Sequence, residues 1–182
     1  MKITRNELMI LAGIVIFTAS ATIPAFYRLR DHLRLRDTVR GMERLLNAGA
    51  RYKTEYGVWP TTRSRGGVDV RFGSERVPNR EVMNALRAVE GEGNEGHVAN
   101  PRRVIFLDWM EKGAGAVRLG PEGDILDAWG MPYQIVLDAN LDGICDVTDS
   151  VYSGGIDGGM IIWSSGPDRK SDTMDDVRSW RR

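Results

Sequence analysis

The stretch that decides the fold is Leu8–Tyr27, with the sequence LMILAGIVIFTASATIPAFY. It carries no charged residue, and at about 1.5 Å per helical residue it can cross a hydrocarbon core about 30 Å thick. Glu7 precedes it directly, and Pro24 interrupts it near its far end. The apolar run is longer than the core of a cleaved signal peptide. We therefore predict a retained transmembrane helix in residues 1–27.

The composition restricts the classes of function. Among 182 residues, 25 Lys and Arg balance 25 Asp and Glu, so no net field favours binding to nucleic acid. Cys145 is the single cysteine, which excludes an intrachain disulfide framework. The residues after the apolar run are enough to form one domain with its own hydrophobic core.

The helical pattern continues beyond the apolar run. Leucines such as Leu29, Leu33 and Leu45 recur at helical spacing, with charged residues between them. Gly57 and Pro60 are typical of a helix end. We predict that residues 28–60 form an amphipathic continuation of the same helix.

The remaining residues, 61–182, predict a globular head with short elements and long loops. The pattern indicates a short helix capped by Asn79, and a strand or apolar segment at 102–110. Alternating, β-branched stretches at 133–138 and 159–165 predict two strands. The fold class expected is α+β, with the long N-terminal helix packed on a small antiparallel sheet.

Four pieces of the chain resemble type IV pilin-like proteins, most closely the major pseudopilin of type II secretion systems. Glu7 is followed by a proline seventeen positions later, and YKTEYGVWP closes the long helix at residues 52–60. DAWGMPYQIVL at 127–137 and SSGPDRKSDTMDDVRSW at 164–180 are similar to specific motifs of that family. The resemblance implies a pilin-like fold and a structural subunit without enzymatic activity, which assembles into a filament of a secretion or pilus-like system.

The resemblance also implies roles for two residues of the N-terminal helix. Glu7 would neutralise the amino terminus of a neighbouring subunit, and Pro24 would bend the helix for packing in the filament. The expected partners are further copies, other pilin-like subunits, inner-membrane assembly proteins and the membrane. The alternatives are that Glu7 interacts with the helix dipole or with Arg5, and that Pro24 is a tolerated membrane-helix proline.

The sequence DANLDGICDVTD, residues 138–149, has the spacing of an EF-hand calcium loop. Hard cations take oxygen ligands, and a glycine at the sixth position permits the sharp turn. The predicted ligands at positions one, three, five, seven (by its carbonyl), nine and twelve are Asp138, Asn140, Asp142, Ile144, Asp146 and Asp149. The alternative is a hairpin loop whose side chains bond its own backbone.

The resemblance implies a second calcium site in the C-terminal loop. The matching positions are Asp168 and Asp176, with Asp172 or Asp175 assisting. The alternative is a solvated acidic turn. Calcium is thus the predicted cofactor, and neither loop carries a motif of a nucleophilic or phosphate-binding site.

Two other functions remain open from the sequence. The first is a membrane-anchored binding module that does not polymerise, which Arg5 and the lysine at position 2, where the family has glycine, both favour. The second is an anchored hydrolase that uses the acidic loops as a catalytic metal site. A pilin-like subunit would be a single-pass inner-membrane protein with its head in the periplasm or outside the cell. The arginines that follow Tyr27 favour the opposite orientation.

Overall fold

The computed structural model describes residues 4–63, 68–108, 118–148 and 150–180. In the N-terminal helix it describes few side chains before Phe26; those left out are Arg5, Glu7, Leu8, residues 10–19, Ala21, Pro24 and Ala25. The chain divides into two compact units, Met1–Arg34 and Leu35–Arg182. The predicted boundaries at residues 27 and 60 stay a prediction.

The described elements are two α-helices, a short 3-10 helix and eight strands. The helices are α1 (Arg5–Tyr56), α2 (Arg80–Leu86) and the 3-10 turn Glu95–His97. The strands are β1 (Val70–Phe72), β2 (Arg118–Leu119), β3 (Ile125–Leu126), β4 (Gln134–Leu137), β5 (Ile144–Val147), β6 (Gly154–Asp157), β7 (Met160–Ser164) and β8 (Val177–Arg178). This is an α+β chain with one long N-terminal helix and small antiparallel sheets, as the sequence predicts.

Helix α1 contains 52 residues and includes Pro24. It ends at Tyr56, and Gly57 follows with a φ of +76°, where its amide donates to the Lys53 carbonyl at 2.8 Å. A glycine in this left-handed conformation satisfies a carbonyl of the last turn, which confirms the predicted helix end. Over the described residues, no helix offers a window that is both long and apolar enough to span a bilayer. The membrane span at 1–27 stays a prediction.

The main sheet has the strand order β1-β4-β7-β8, with every neighbouring pair antiparallel. In β4, Ile135 and Leu137 face one side, where they join the buried face of α1. Val136 faces the other side and joins a second cluster around Trp163. Because successive side chains of a strand point to opposite faces, a sheet covered on both sides needs continuous apolar strands. This explains why all four residues of β4 are buried.

Two helical glycines allow α1 to approach the sheet closely. A Cβ at Gly41 would lie 2.6 Å from the Tyr133 hydroxyl oxygen, and a Cβ at Gly49 would lie 2.5 Å from the Met160 sulfur. The sequence indicates only that these glycines weaken the helix locally. In the structure they make room for side chains of the head.

One local prediction is wrong, and at 102–110 the structure shows the second of the two predicted alternatives, an apolar segment. The Asn79 side chain makes no cap hydrogen bond to α2; it is buried and donates to the carbonyls of Ile125 and Tyr133 at 3.0 and 2.9 Å. The described part of 102–110 contains no strand. Its Phe106 and Leu107 amides both donate to the Leu86 carbonyl, so the segment follows the end of α2 as a loop with buried side chains.

Candidate metal-binding loops

Two acidic loops leave the main sheet, and both contain predicted calcium ligands. The first joins β4 to β5 and begins at Asp138, and the second joins β7 to β8 and runs from Ser165 to Asp176. We call them the first acidic loop and the C-terminal loop. Strands β4 and β7 are antiparallel neighbours, so the two loops leave from opposite ends of this strand pair.

The first acidic loop is closed by its own carboxylates. Asp138 is fully buried, and its two oxygens accept hydrogen bonds from the amides of Asp142 and Gly143 at 3.1 and 3.0 Å. The Asn140 side-chain oxygen Oδ1 accepts a hydrogen bond from the Asp142 amide at 3.2 Å. The Asn140 side-chain nitrogen donates to the Asp142 carboxylate at 2.9 Å. Gly143 has a φ of +86°, which suits the sharp turn expected at the sixth position. The structure therefore brings the first three predicted ligands together.

The later predicted ligands of this loop lie on a strand. The Ile144 amide donates to Asp142 at 2.9 Å, and β5 starts at this residue. On β5, Asp146 is exposed and alternates with buried Cys145 and Val147. An extended strand advances about 3.3 Å per residue, so positions nine and beyond run along β5 rather than round the turn. Asp149 lies outside the described residues.

Asp69 is a neighbour of this loop that the sequence did not indicate. Its two carboxylate oxygens accept hydrogen bonds from the amides of Ala139 and Asp146 at 2.8 and 2.6 Å. Asp69 thus joins the start of the loop to the middle of β5. It immediately precedes β1, in a region that carries no metal-ligand spacing, and only the pairing of β1 with β4 reveals its role.

The C-terminal loop is organised around Asp176. This largely buried carboxylate accepts hydrogen bonds from the Tyr152 hydroxyl at 2.9 Å and from the Asp172 amide at 2.8 Å. The Thr173 hydroxyl oxygen lies 3.3 Å from its other oxygen. Asp176 and Asp172 are therefore adjacent, as a shared site would require, although the contact runs through the Asp172 backbone.

The other two acids of the C-terminal loop are exposed. Asp168 accepts a hydrogen bond from the Lys170 amide at 2.8 Å, while its own amide donates to Asp175 at 3.1 Å. The Thr173 hydroxyl donates to Asp175 at 2.7 Å, and this bond, together with that from the Asp168 amide, lowers the pKa of the Asp175 carboxyl despite some opposing desolvation. Asp168 and Asp175 are thus linked to each other through the backbone.

Arg71 is a second participant that sequence reasoning missed. Its guanidinium lies 3.5 Å from the Asp172 carboxylate, and its central carbon lies 4.7 Å from the centre of the Trp163 ring. The Ser171 hydroxyl contacts both the Trp163 ring nitrogen, at 3.1 Å, and Arg71, at 3.5 Å. Asp69 and Arg71 stand two positions apart around β1, so this short strand contacts both acidic loops.

The DAWGMPY segment, residues 127–133, is connected to the start of the C-terminal loop by hydrogen bonds of Asp127 and Ser164. Asp127 is buried; it accepts hydrogen bonds from the amides of Trp129 and Met131, both at 2.9 Å, and from the Ser164 hydroxyl at 2.5 Å. The Ser164 oxygen in turn accepts from the Gly166 amide at 3.1 Å. The two motifs that carry the family resemblance are therefore joined through one buried carboxylate.

Burial raises the pKa of two side chains near these loops, the Cys145 thiol and the Tyr152 hydroxyl. It raises the pKa of Cys145 to about 12, with the negative charges of Asp69 and Asp138 as further causes. Burial, followed by the contact with Asp176, raises the pKa of Tyr152 to about 12. Cys145 is fully buried and its thiol donates to the Gly158 carbonyl at 3.0 Å, so it packs as a small buried side chain.

Within the described parts of the chain, no three His, Cys, Asp or Glu side chains are grouped so as to hold a metal ion. The oxygen-rich composition of both loops still matches the preference of calcium. An ionised carboxylate has about four acceptor positions, so one that accepts two hydrogen bonds retains sites for a cation. Asp138 and Asp176 are the buried carboxylates of these loops, and calcium binding stays a prediction.

A cavity of about 610 Å³ opens beside the C-terminal loop. It is lined by Tyr152 and Trp180, whose rings meet edge-on at 5.5 Å between centres, and by the strand residues Ile156 and Met160. Asp157 contributes a carboxylate to the same lining. The surface of this cavity is mainly polar, with two aromatic rings and one acidic residue among its lining groups.

The predicted assembly residues lie in α1, where Glu7 is in the first turn and Pro24 is internal. Their side chains are outside the described residues, so their roles stay predictions. No protein-family model, curated protein sequence or solved structure matches the chain.

Proposed function

We propose that this protein is a pilin-like structural subunit that assembles through α1 into a filament of a type II secretion or type IV pilus-like system. The observation that carries the proposal is the composition of α1. Its second part, represented by Leu45 and Tyr52, is buried against the sheet. Its first part leaves Met9, Ile23 and Phe26 between 53% and 66% exposed. Large apolar side chains exposed along one helix are typical of a surface that a partner or a membrane covers.

The organisation of the head supports the same proposal. The two specific motifs of the resemblance meet at the Asp127–Ser164 hydrogen bond, so they form one structural feature rather than two isolated likenesses. A long helix packed on a small antiparallel sheet is the architecture expected of the family. Calcium held at Asp138 and Asp176 would fix loops on the surface of the head, where subunits could contact one another.

The test is the assembly of the full-length protein. The chain is purified in detergent, the detergent is removed, and the product is imaged by electron microscopy. We expect filaments from the natural sequence and few or none from Glu7→Ala, because the carboxylate would be needed to pair with a neighbouring amino terminus. Glu43→Ala is the matched control, since it removes an exposed acid of the same helix and should leave assembly intact. Isolated particles from the natural sequence would contradict the proposal.

The cavity favours a second candidate, a membrane-anchored binding module. Tyr152 and Trp180 supply aromatic surfaces and Asp157 a charge, as a peptide or glycan site would require. This function predicts that the protein stays monomeric and that Trp180→Ala abolishes ligand binding. The filament function predicts that the same substitution leaves assembly intact. The Trp180→Ala variant therefore distinguishes between the two candidate functions.

A further inference from the structure

The α1 surface that follows the predicted membrane segment has two neighbouring stripes of different chemistry. Phe26, Leu29 and Leu33 are spaced i, i+3 and i+7, which places them on one helix face, and they are 63%, 59% and 39% exposed. We call them the apolar stripe. Among the described side chains of this unit, they form a row of exposed apolar groups along almost two helical turns.

The second stripe is basic and aromatic. Tyr27, Arg30 and Arg34 have the same i, i+3, i+7 spacing, one position further along the helix. The Arg30 guanidinium lies 4.9 Å from the centre of the Tyr27 ring. Asp31 lies at 3.8 and 4.0 Å from Arg30 and Arg34, so a single carboxylate faces two arginines. We call Tyr27, Arg30 and Arg34 the basic stripe.

Charge distinguishes between the possible partners of this surface. On this surface two arginines, Arg30 and Arg34, face one acid, Asp31. A second copy laid along the same surface would bring like charges together, which is unfavourable. A lipid bilayer with anionic headgroups offers phosphates for guanidinium groups and an apolar boundary for the neighbouring stripe.

We propose that the two stripes bind the headgroup region of an anionic phospholipid bilayer. The apolar stripe enters the boundary between headgroups and acyl chains, and Arg30 and Arg34 contact lipid phosphates. Tyr27 lies where aromatic residues of membrane proteins concentrate. This lipid contact holds the subunit at the membrane surface before assembly. It goes beyond the proposed function, but it rests on the membrane segment that this function predicts.

The test uses the full-length protein reconstituted into two kinds of vesicle, phosphatidylcholine alone and phosphatidylcholine with phosphatidylglycerol. Trypsin cleaves after arginine, so mass spectrometry reports cleavage at residues 28, 30 and 34 directly. Cleavage after the exposed Arg103 and Arg118 of the head corrects for orientation and enzyme access. We expect the corrected cleavage of the basic surface to be about tenfold slower in the anionic vesicles, and high salt to abolish the difference.

A matched pair of double variants separates lipid contact from a change in overall charge. Leu29→Glu with Leu33→Glu places two carboxylates in the apolar stripe and should restore rapid cleavage in anionic vesicles. Val89→Glu with Val98→Glu adds the same charge at valines of the head that are 39% and 63% exposed, and should leave protection unchanged. Protection that persists in the first variant would overturn the proposed contact.

The outcomes also distinguish this inference from the membrane prediction. Release of the protein from both vesicle types by a carbonate wash would overturn the membrane segment and this lipid contact together. Retention in both vesicle types, with equal corrected cleavage, would overturn the lipid contact alone. Slow cleavage in anionic vesicles that high salt does not reverse would also overturn it, because phosphate contacts of arginine are sensitive to salt.

Discussion

The first acidic loop and the C-terminal loop have similar compositions but obtain their order from different sources. In the first, Asp138 and Asp142 bond amides that lie two to five positions away. In the C-terminal loop, Asp172 and Asp176 depend on Arg71 and Tyr152, which are distant in sequence. A carboxylate that caps its own turn can be recognised locally, whereas one that needs distant partners depends on the completed fold. The following predictions test this difference.

The largest expected effect is that of calcium on the melting temperature of the full-length protein in detergent. At a calcium concentration one hundred times Kd, binding to the folded state adds about 2.7 kcal/mol of stability. For a domain of this size the melting temperature should rise by about 5–10 °C relative to chelator. Identical melting with calcium and with chelator would show that both loops are turns.

Isosteric variants assign that shift to one loop. Asp142→Asn removes a charge from the first loop, and Asp176→Asn removes one from the C-terminal loop. Asp157→Asn, on the exposed β6 outside both loops, is the control. A shift lost in only one of the two loop variants would place calcium there.

The next effect concerns the local closure of the first loop. Asp138→Ala should lower the free energy of unfolding by about 2 kcal/mol, because the amides of Asp142 and Gly143 lose their acceptor. Asn140→Ala, which removes an exposed side chain of the same turn, should cost much less. Chemical denaturation measures both. Equal costs would mean that burial of Asp138 contributes nothing specific.

A smaller effect is expected in the C-terminal loop. Arg71→Lys retains the positive charge but loses the planar group over Trp163, so we expect a loss of about 1 kcal/mol. Arg169→Lys, in the exposed part of the same loop, serves as the control and should be neutral. The measurement is again chemical denaturation. A neutral Arg71→Lys would show that charge alone holds the loop to β1.

The last effect is an alkaline loss of stability that involves Tyr152. In the unfolded chain a tyrosine ionises near pH 10, whereas burial and Asp176 raise the pKa of Tyr152 to about 12 in the folded protein. The unfolded state therefore releases its proton first, and stability falls as the pH rises from about 10 to 12. Tyr152→Phe should weaken this pH dependence in denaturation measured across that range. If the free energy of unfolding of Tyr152→Phe depends on pH as it does in the natural protein, Tyr152 is not a cause of the alkaline loss.

The elements that the sequence predicts correctly are those with a strong local pattern. Helix α1 follows from helical spacing, and strands β4 and β7 follow from short stretches rich in β-branched residues. Strand β5 coincides with the later positions of the predicted calcium loop. Because those positions were assigned to a metal loop, the alternation of exposed and buried residues in β5 was not interpreted as a strand. Strand β6 is short, rich in glycine and mostly exposed, so its sequence carries little strand signal.

The residues of the candidate site also fall into two groups, those with local contacts and those with partners distant in sequence. Asp138, Asn140 and Asp142 were identified from spacing alone, because their contacts lie within the turn. Asp69 and Arg71 were missed because their partners lie between about 60 and 100 positions further along the chain, and only strand pairing brings them together.

By itself, the sequence determined the long helix, the two central strands and the acidic turn at Asp138, since each arises from interactions between residues close in the chain. The tertiary structure decided how β1 contacts both acidic loops and why Gly41 and Gly49 stand in α1. It also turned Asn79 from a helix cap into a buried partner of two carbonyl groups. Those outcomes depend on distances between segments that are remote in sequence, which no local pattern encodes.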